Sequence, residues 1–118
     1  MDFEAREREG VLIVKPLAKR IDSGNAPAFK SGMVDYIIKD EIKVAIDLSD
    51  VEFMDSSGLS SLLSTYKTIS KKGKMVIFGV RQNVGQLFAI TRLDKGIFTI
   101  ARDEEHALTM FVYDGLRA

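Results

Sequence analysis

Few side chains in this 118-residue sequence could do chemistry. There is one histidine, His106, and no cysteine. The missing thiols exclude disulfides, thiol catalysis, zinc–thiolate sites and iron–sulfur clusters. A Ser-His-Asp arrangement would have to use His106, and no Gly-x-Ser-x-Gly elbow exists to present its serine. His106 therefore reads as a surface or packing residue. Asp47, Asp50 and Asp55 cluster around an expected strand end, where carboxylates can hold magnesium. Loop capping is the commoner reason for that spacing, so no metal site and no cofactor is expected. Gly73-Lys74 lacks the preceding glycine and the Ser/Thr of a phosphate loop, and Gly79-Val80-Arg81-Gln82 lacks the dinucleotide fingerprint. The basic run Lys71, Lys72 and Lys74 reads as a solvated helix end. No catalytic residue is assigned. The informative stretch is Val51-Glu52-Phe53-Met54-Asp55-Ser56-Ser57-Gly58-Leu59. Here two serines follow an aspartate where a buried strand gives way, through a loop, to a helix. Asp55 or Ser56 can cap the helix there, or the serine hydroxyl can be offered to a partner.

The elements that position this stretch alternate along the chain. Asp2 to Arg8 reads as an edge strand, Gly10 as a turn, and Val11 to Lys15 as a β-branched strand, together a hairpin. Asp22-Ser23-Gly24-Asn25 is turn and capping chemistry, and Pro27 suits an early helical position. Ala26, Phe29, Met33, Tyr36 and Ile37 recur at helical spacing to about Lys39. Gly32 weakens that helix by about 1 kcal/mol relative to alanine, which a close approach to a neighbouring strand would explain. Ile42 to Leu48 is a buried strand. Asp55-Ser56-Ser57-Gly58 opens a second helix with an apolar stripe of Leu59, Leu62, Leu63, Tyr66 and Ile69. Lys71-Lys72-Gly73 closes it. Lys74 to Phe78 is a strand, Val84, Leu87, Phe88 and Thr91 mark a third helix, and Phe98 to Ala101 is a short strand. Asp103 caps a last helix through about Tyr113, with Ala107, Leu108 and Phe111 inward.

The resulting order, β-β-α-β-α-β-α-β-α, predicts an α/β fold with a mixed, mostly parallel sheet. Val11 to Val14, Val44 to Leu48 and Met75 to Phe78 should lie at its centre, with the helices carrying Phe29, Leu62 and Phe88 packed on it. The helix start at Ser56 then lies on the crevice side of an open α/β sheet, at a switch in strand order. The segments Arg20–Asn25, Met54–Leu59 and Gly79–Gln82 should come close together there. The length predicts one domain over residues 1–118. Seventeen Lys/Arg balance seventeen Asp/Glu and the pI is about 6.6. That argues against nucleic acid as a partner, which normally draws a basic excess. The first ten residues lack a signal-peptide core. The purest apolar runs, Val11–Val14 and Met75–Phe78, fall far short of the ~20 residues that span a bilayer. A soluble, cytoplasmic protein without a membrane partner is expected.

The segment Asp47-Leu48-Ser49-Asp50-Val51-Glu52-Phe53-Met54-Asp55-Ser56-Ser57-Gly58-Leu59 resembles the signature of bacterial anti-sigma factor antagonists, the STAS-domain family. Ile21-Asp22-Ser23-Gly24-Asn25-Ala26 is similar to that family's loop before the first helix. Leu93-Asp94-Lys95-Gly96-Ile97-Phe98 is similar to its lead into the last strand. The likeness spans nearly the whole chain. It implies a STAS-like fold and a binding module that is not an enzyme. It also implies an anti-sigma factor with serine kinase activity as partner, and a phosphoserine phosphatase that resets the switch. The phosphorylated serine falls on Ser56, with Ser57 the rival acceptor. Asp22, Ser23, Asn25, Met54, Asp55, Ser57, Gly58, Leu59 and Arg81 are the implied partner-binding residues. The sequence departs from the family at Lys19-Arg20, where glycine and a polar residue are usual. Two other readings stay open: a scaffold subunit of a stress-sensing complex, and a nucleotide-binding α/β domain using the carboxylates around Asp47 to Asp55.

Overall fold

The structure, a computed structural model, describes residues 1–37 and 43–117. The expected end of the first helix at Lys39 and the expected strand start at Ile42 lie outside them. The layers follow from two-residue alternation within continuous apolar runs. In β2 (Val11–Pro16), Leu12 and Val14 enter one hydrophobic cluster while Val11 and Ile13 enter another. β4 (Lys43–Asp47) sends Val44 and Ile46 one way and Ala45 the other. β6 (Lys74–Phe78) sends Met75 and Ile77 one way, Val76 and Phe78 the other. Strands covered on both faces can be apolar throughout. Each large side chain so buried contributes about 1.5–3 kcal/mol relative to exposure.

These three strands are the centre of a five-stranded sheet in the order β1 (Phe3–Arg8), β2, β4, β6, β7 (Thr99–Ile100). β1 is antiparallel to β2, and the other pairings are parallel. The chain thus steps across the sheet in one direction. Right-handed crossovers then place every connecting helix on the same face. α1 (Ala26–Ile37), α2 (Ser56–Ser70) and α3 (Gln82–Ile90) bury Phe29 and Met33, Leu62 and Ile69, and Val84 and Phe88 in the larger cluster. α4 (Glu104–Arg117) covers the other face with Ala107, Leu108 and Phe111. One expectation is corrected here: strand order never reverses, so there is no switch crevice. The helix starts lie simply at the carboxyl ends of parallel strands.

Two short strands went unanticipated. β3 (Arg20–Ile21) and β5 (Phe53–Met54) form a separate parallel pair, in register Arg20↔Phe53 and Ile21↔Met54. Two residues carry no periodicity, so sequence pattern cannot reveal them. Gly32 does face a close approach, since a Cβ there would overlap the Phe3 ring of β1. The basic run divides. Lys71 and Lys72 are exposed at the end of α2, whereas half-buried Lys74 donates from Nζ to the Met110 carbonyl of α4 at 3.1 Å. Among the described residues, no helix is long and apolar enough to cross a membrane.

Candidate functional site

The start of α2 is built by Asp55. Its backbone is extended (φ −102°, ψ −173°), and its Oδ1 accepts the Gly58 N–H at 3.0 Å. Its carbonyl accepts the Leu59 N–H at 2.9 Å. Asp55 is therefore the N-cap, and Ser56 is the first helical residue. The Ser56 side chain is exposed and the cap does not depend on it. Ser57 is half-buried. The Gly58 amide holds the Asp55 carboxyl below the usual carboxylate range, against a smaller opposing effect of burial, and the Ser23 amide adds to it.

The loop before α1 is folded on itself. Asp22 Oδ1 accepts the Gly24 N–H at 2.9 Å, and Asn25 Oδ1 accepts the Asp22 N–H at 2.9 Å. Asn25 Nδ2 donates to the Arg20 carbonyl at 2.7 Å. The Arg20 guanidinium lies 4.2 Å from the centre of the Phe53 ring, and its Nε is 3.3 Å from Asp22 Oδ2. The Lys19-Arg20 pair is thus engaged by the β3–β5 contact. Lys19 also supplies the carbonyl that accepts the Glu52 N–H at 2.7 Å and the Phe53 N–H at 3.1 Å. The loop meets the start of α2 through the Asp55 N–H on the Ile21 carbonyl (3.3 Å) and the Ser23 N–H on Asp55 Oδ2 (3.2 Å).

Gly58 explains why the two segments can be so close. A Cβ there would overlap the Ile21 carbonyl oxygen and lie 2.8 Å from Met54 Cγ. Met54, Gly58 and Leu59 are buried, so they back the surface rather than form it. Between α1 and α2 lies an open hollow of about 560 Å³, whose lining includes Ser23, Lys30, Ser56, Ser57, Ser60 and Ser61. Lys30, Ser60 and Ser61 were not singled out from the sequence. The available signal was serine at four-residue spacing, 56/60 and 57/61, which places each pair on one side of a helix.

The loop before α1 meets the start of α2 directly, and the Gly79–Gln82 turn reaches the same end of the sheet through α3, which packs on β5. Arg81 lies outside the hollow that Ser56 lines. It is 3.4 Å from the Ser49 carbonyl and lines a hollow with Leu17, Ala18, Lys19, Asp50 and Glu52. The aspartates near the strand end have separate tasks. Asp47 Oδ1 accepts the Ser49 N–H at 2.9 Å, Asp50 is 3.4 Å from Lys15 Nζ, and Asp55 caps α2. Among the described residues no three His, Asp or Glu side chains are grouped to hold a metal ion. His106 is occupied structurally: its Nδ1 accepts the Arg102 N–H at 3.0 Å at the start of α4.

The chain matches the STAS domain family over residues 2–107. It is 33% identical to the anti-sigma-B factor antagonist of Listeria monocytogenes over 94 residues, which are 79% of this chain and 82% of the relative. It is 32% identical to the anti-sigma F factor antagonist of Paenibacillus polymyxa over 111 residues, 92% of this chain and 93% of that one. The crystal structure of an anti-sigma factor antagonist from Mycobacterium paratuberculosis superposes with a TM-score of 0.83 at 28% identity, covering 92% of both chains. With its one-directional sheet, its loop closed against an aspartate-capped α2, and a family match that takes in nearly all of it, this chain belongs to the STAS domain family.

Proposed function

We propose that the protein is an anti-sigma factor antagonist that acts by partner switching. Unmodified, it binds an anti-sigma factor with serine kinase activity and frees the sigma factor. Phosphorylation at Ser56 abolishes that binding, and a phosphoserine phosphatase restores it. The carrying observation is Ser56 itself, an exposed hydroxyl at the first position of α2, with the cap already supplied by Asp55. The relatives' names give the partner class. Ser23 and Ser57 line the same hollow as Ser56, and together with Asp22, Asn25 and Asp55 they form the proposed docking surface, backed by Met54, Gly58 and Leu59, with Arg81 at a separate flank.

The energetics fit a switch that acts on docking rather than on the fold. Phosphate on Ser56 adds about −1.5 to −2 charges at pH 7. A helix N-terminus favours such a charge by roughly 0.3–1 kcal/mol, while neighbouring Asp55 and Asp22 oppose it. The two effects nearly cancel within the monomer. A partner surface shaped for a neutral hydroxyl has no such balance, and like charge or lost solvation there costs several kcal/mol. About 3 kcal/mol weakens binding more than a hundredfold.

Purification of the bound partner from the native host, followed by ATP–magnesium incubation and intact-mass measurement, tests this reading. One added phosphate, mapped to Ser56, should appear only with the partner kinase, and complex formation should fail afterwards. A modified protein that binds as tightly as the unmodified one overturns the mechanism. Self-labelling or ATP hydrolysis by the protein alone would make it an enzyme instead.

A further inference from the structure

Asp55 uses its two carboxylate oxygens on two different elements. Oδ1 serves the Gly58 N–H of α2, and Oδ2 serves the Ser23 N–H in the loop leading to α1. Capping needs only the first of these. The remaining bonds between the two segments lie before Asp22: the Arg20–Ile21 pairing with Phe53–Met54, and the Asp55 N–H on the Ile21 carbonyl. Farther along, Ser61 Oγ donates to the Ala26 carbonyl at 3.2 Å, inside α1. The apex between them, Ser23 and Gly24, is exposed. Among the described residues, the Ser23–Asp55 bond is what ties that apex across to α2.

We infer that Asp55 is a positioning residue whose second oxygen fixes the Ser23–Gly24 apex beside Ser56, so that the loop and the α2 start present one preorganised surface to the partner. The docking consequence rests on the function proposed above; the tether does not. Preorganisation matters because a loop that must be ordered on binding subtracts its ordering entropy from the affinity. Phosphorylation would place its charge beside the very carboxylate that holds the apex.

Asparagine separates the two roles. Its oxygen can still cap Gly58, but its amide nitrogen cannot accept from Ser23. In 15N-labelled Asp55→Asn, backbone order parameters at Ser23 and Gly24 should fall from about 0.8 to below about 0.6, while Gly58 stays in the rigid range. Affinity for the purified anti-sigma partner should fall about tenfold, as expected for one lost preordering contact. Asp55→Ser, a competent one-oxygen cap, should behave alike and serves if asparagine does not fold. Unchanged order parameters in both variants overturn the tether, including where affinity falls through loss of charge alone. A loosened apex with affinity within twofold overturns the docking role. If the wild-type protein binds no anti-sigma partner, the function proposed above fails, and the order parameters still decide the tether.

Discussion

The starts of α2 and α4 are capped in the same way and prepared for different ends. In each, an aspartate accepts the N–H three residues on: Gly58 to Asp55 at 3.0 Å, His106 to Asp103 at 2.9 Å. At α4 the next two residues are Glu104 and Glu105, set against Arg6 and Arg8 of β1. The Arg6 hydrogen bond holds the Glu104 carboxyl below its usual range, with burial opposing and Arg8 assisting. At α2 the corresponding residues are Ser56 and Ser57, neutral and facing an open hollow. One helix start has its favourable negative charge built in and neutralised by the sheet edge. The other carries no charge in its first turn, and under the proposed function that is where phosphate would be added and removed. Capping geometry alone therefore says little about function, and the occupants of the first turn decide it.

The third helical position offers the strongest way to break the comparison. Gly58→Ala should drive a methyl into the Ile21 carbonyl and Met54, destabilising the protein by about 3 kcal/mol. The matching His106→Ala removes only the acceptor of the Arg102 amide and should cost about 1 kcal/mol. Urea titrations of the two variants check this, and equal losses would mean that α2 has room the geometry denies. Next in size is charge at the first position. Ser56→Asp should weaken binding to the anti-sigma partner about a hundredfold or more while leaving the unfolding midpoint nearly unchanged. Calorimetric titration beside thermal melts would show it. Glu104→Ala should act the opposite way, lowering stability by about 0.5–1 kcal/mol, less at high salt, with partner binding untouched.

Acid sharpens the same contrast. Both Asp55 and Glu104 have carboxyl groups lowered in the folded state. Their contribution to stability is therefore complete above the unfolded carboxylate range near pH 4, and is lost as pH falls through the lowered native values. The melting temperature should fall steeply between pH 5 and pH 2 in wild type, and less steeply in a variant carrying Asp55→Asn and Glu104→Gln. The smallest effect expected is that of Ser56→Ala. With Asp55 as the cap, stability should change by less than about 0.5 kcal/mol. The variant should bind the partner permanently, which a kinase assay and pull-down would establish.

Much of this molecule was legible because its signals are local. Apolar runs at residues 11–14, 44–48 and 75–78 are too continuous for anything but covered strands, and the helical stripes of Phe29, Leu62 and Phe88 name the faces that cover them. The Asp-Ser-Ser-Gly run marks a helix start, since short polar side chains satisfy free amides there. What the residues could not say is which of Asp55 and Ser56 makes the cap. Both types are competent, and only backbone direction at Asp55 decides between them. Nor could they show β3 and β5, two residues each, whose pairing exists because Gly58 lets the chain pass against Ile21. Arg81 follows a strand end just as Asp22 does, yet the step of one strand across the sheet carries it to Ser49 and Glu52 instead of Ser56. Periodicity and turn chemistry act over a few residues and are written in the order of the chain. Which loops meet depends on strand order and on the atoms a side chain excludes, and those are properties of the packed whole.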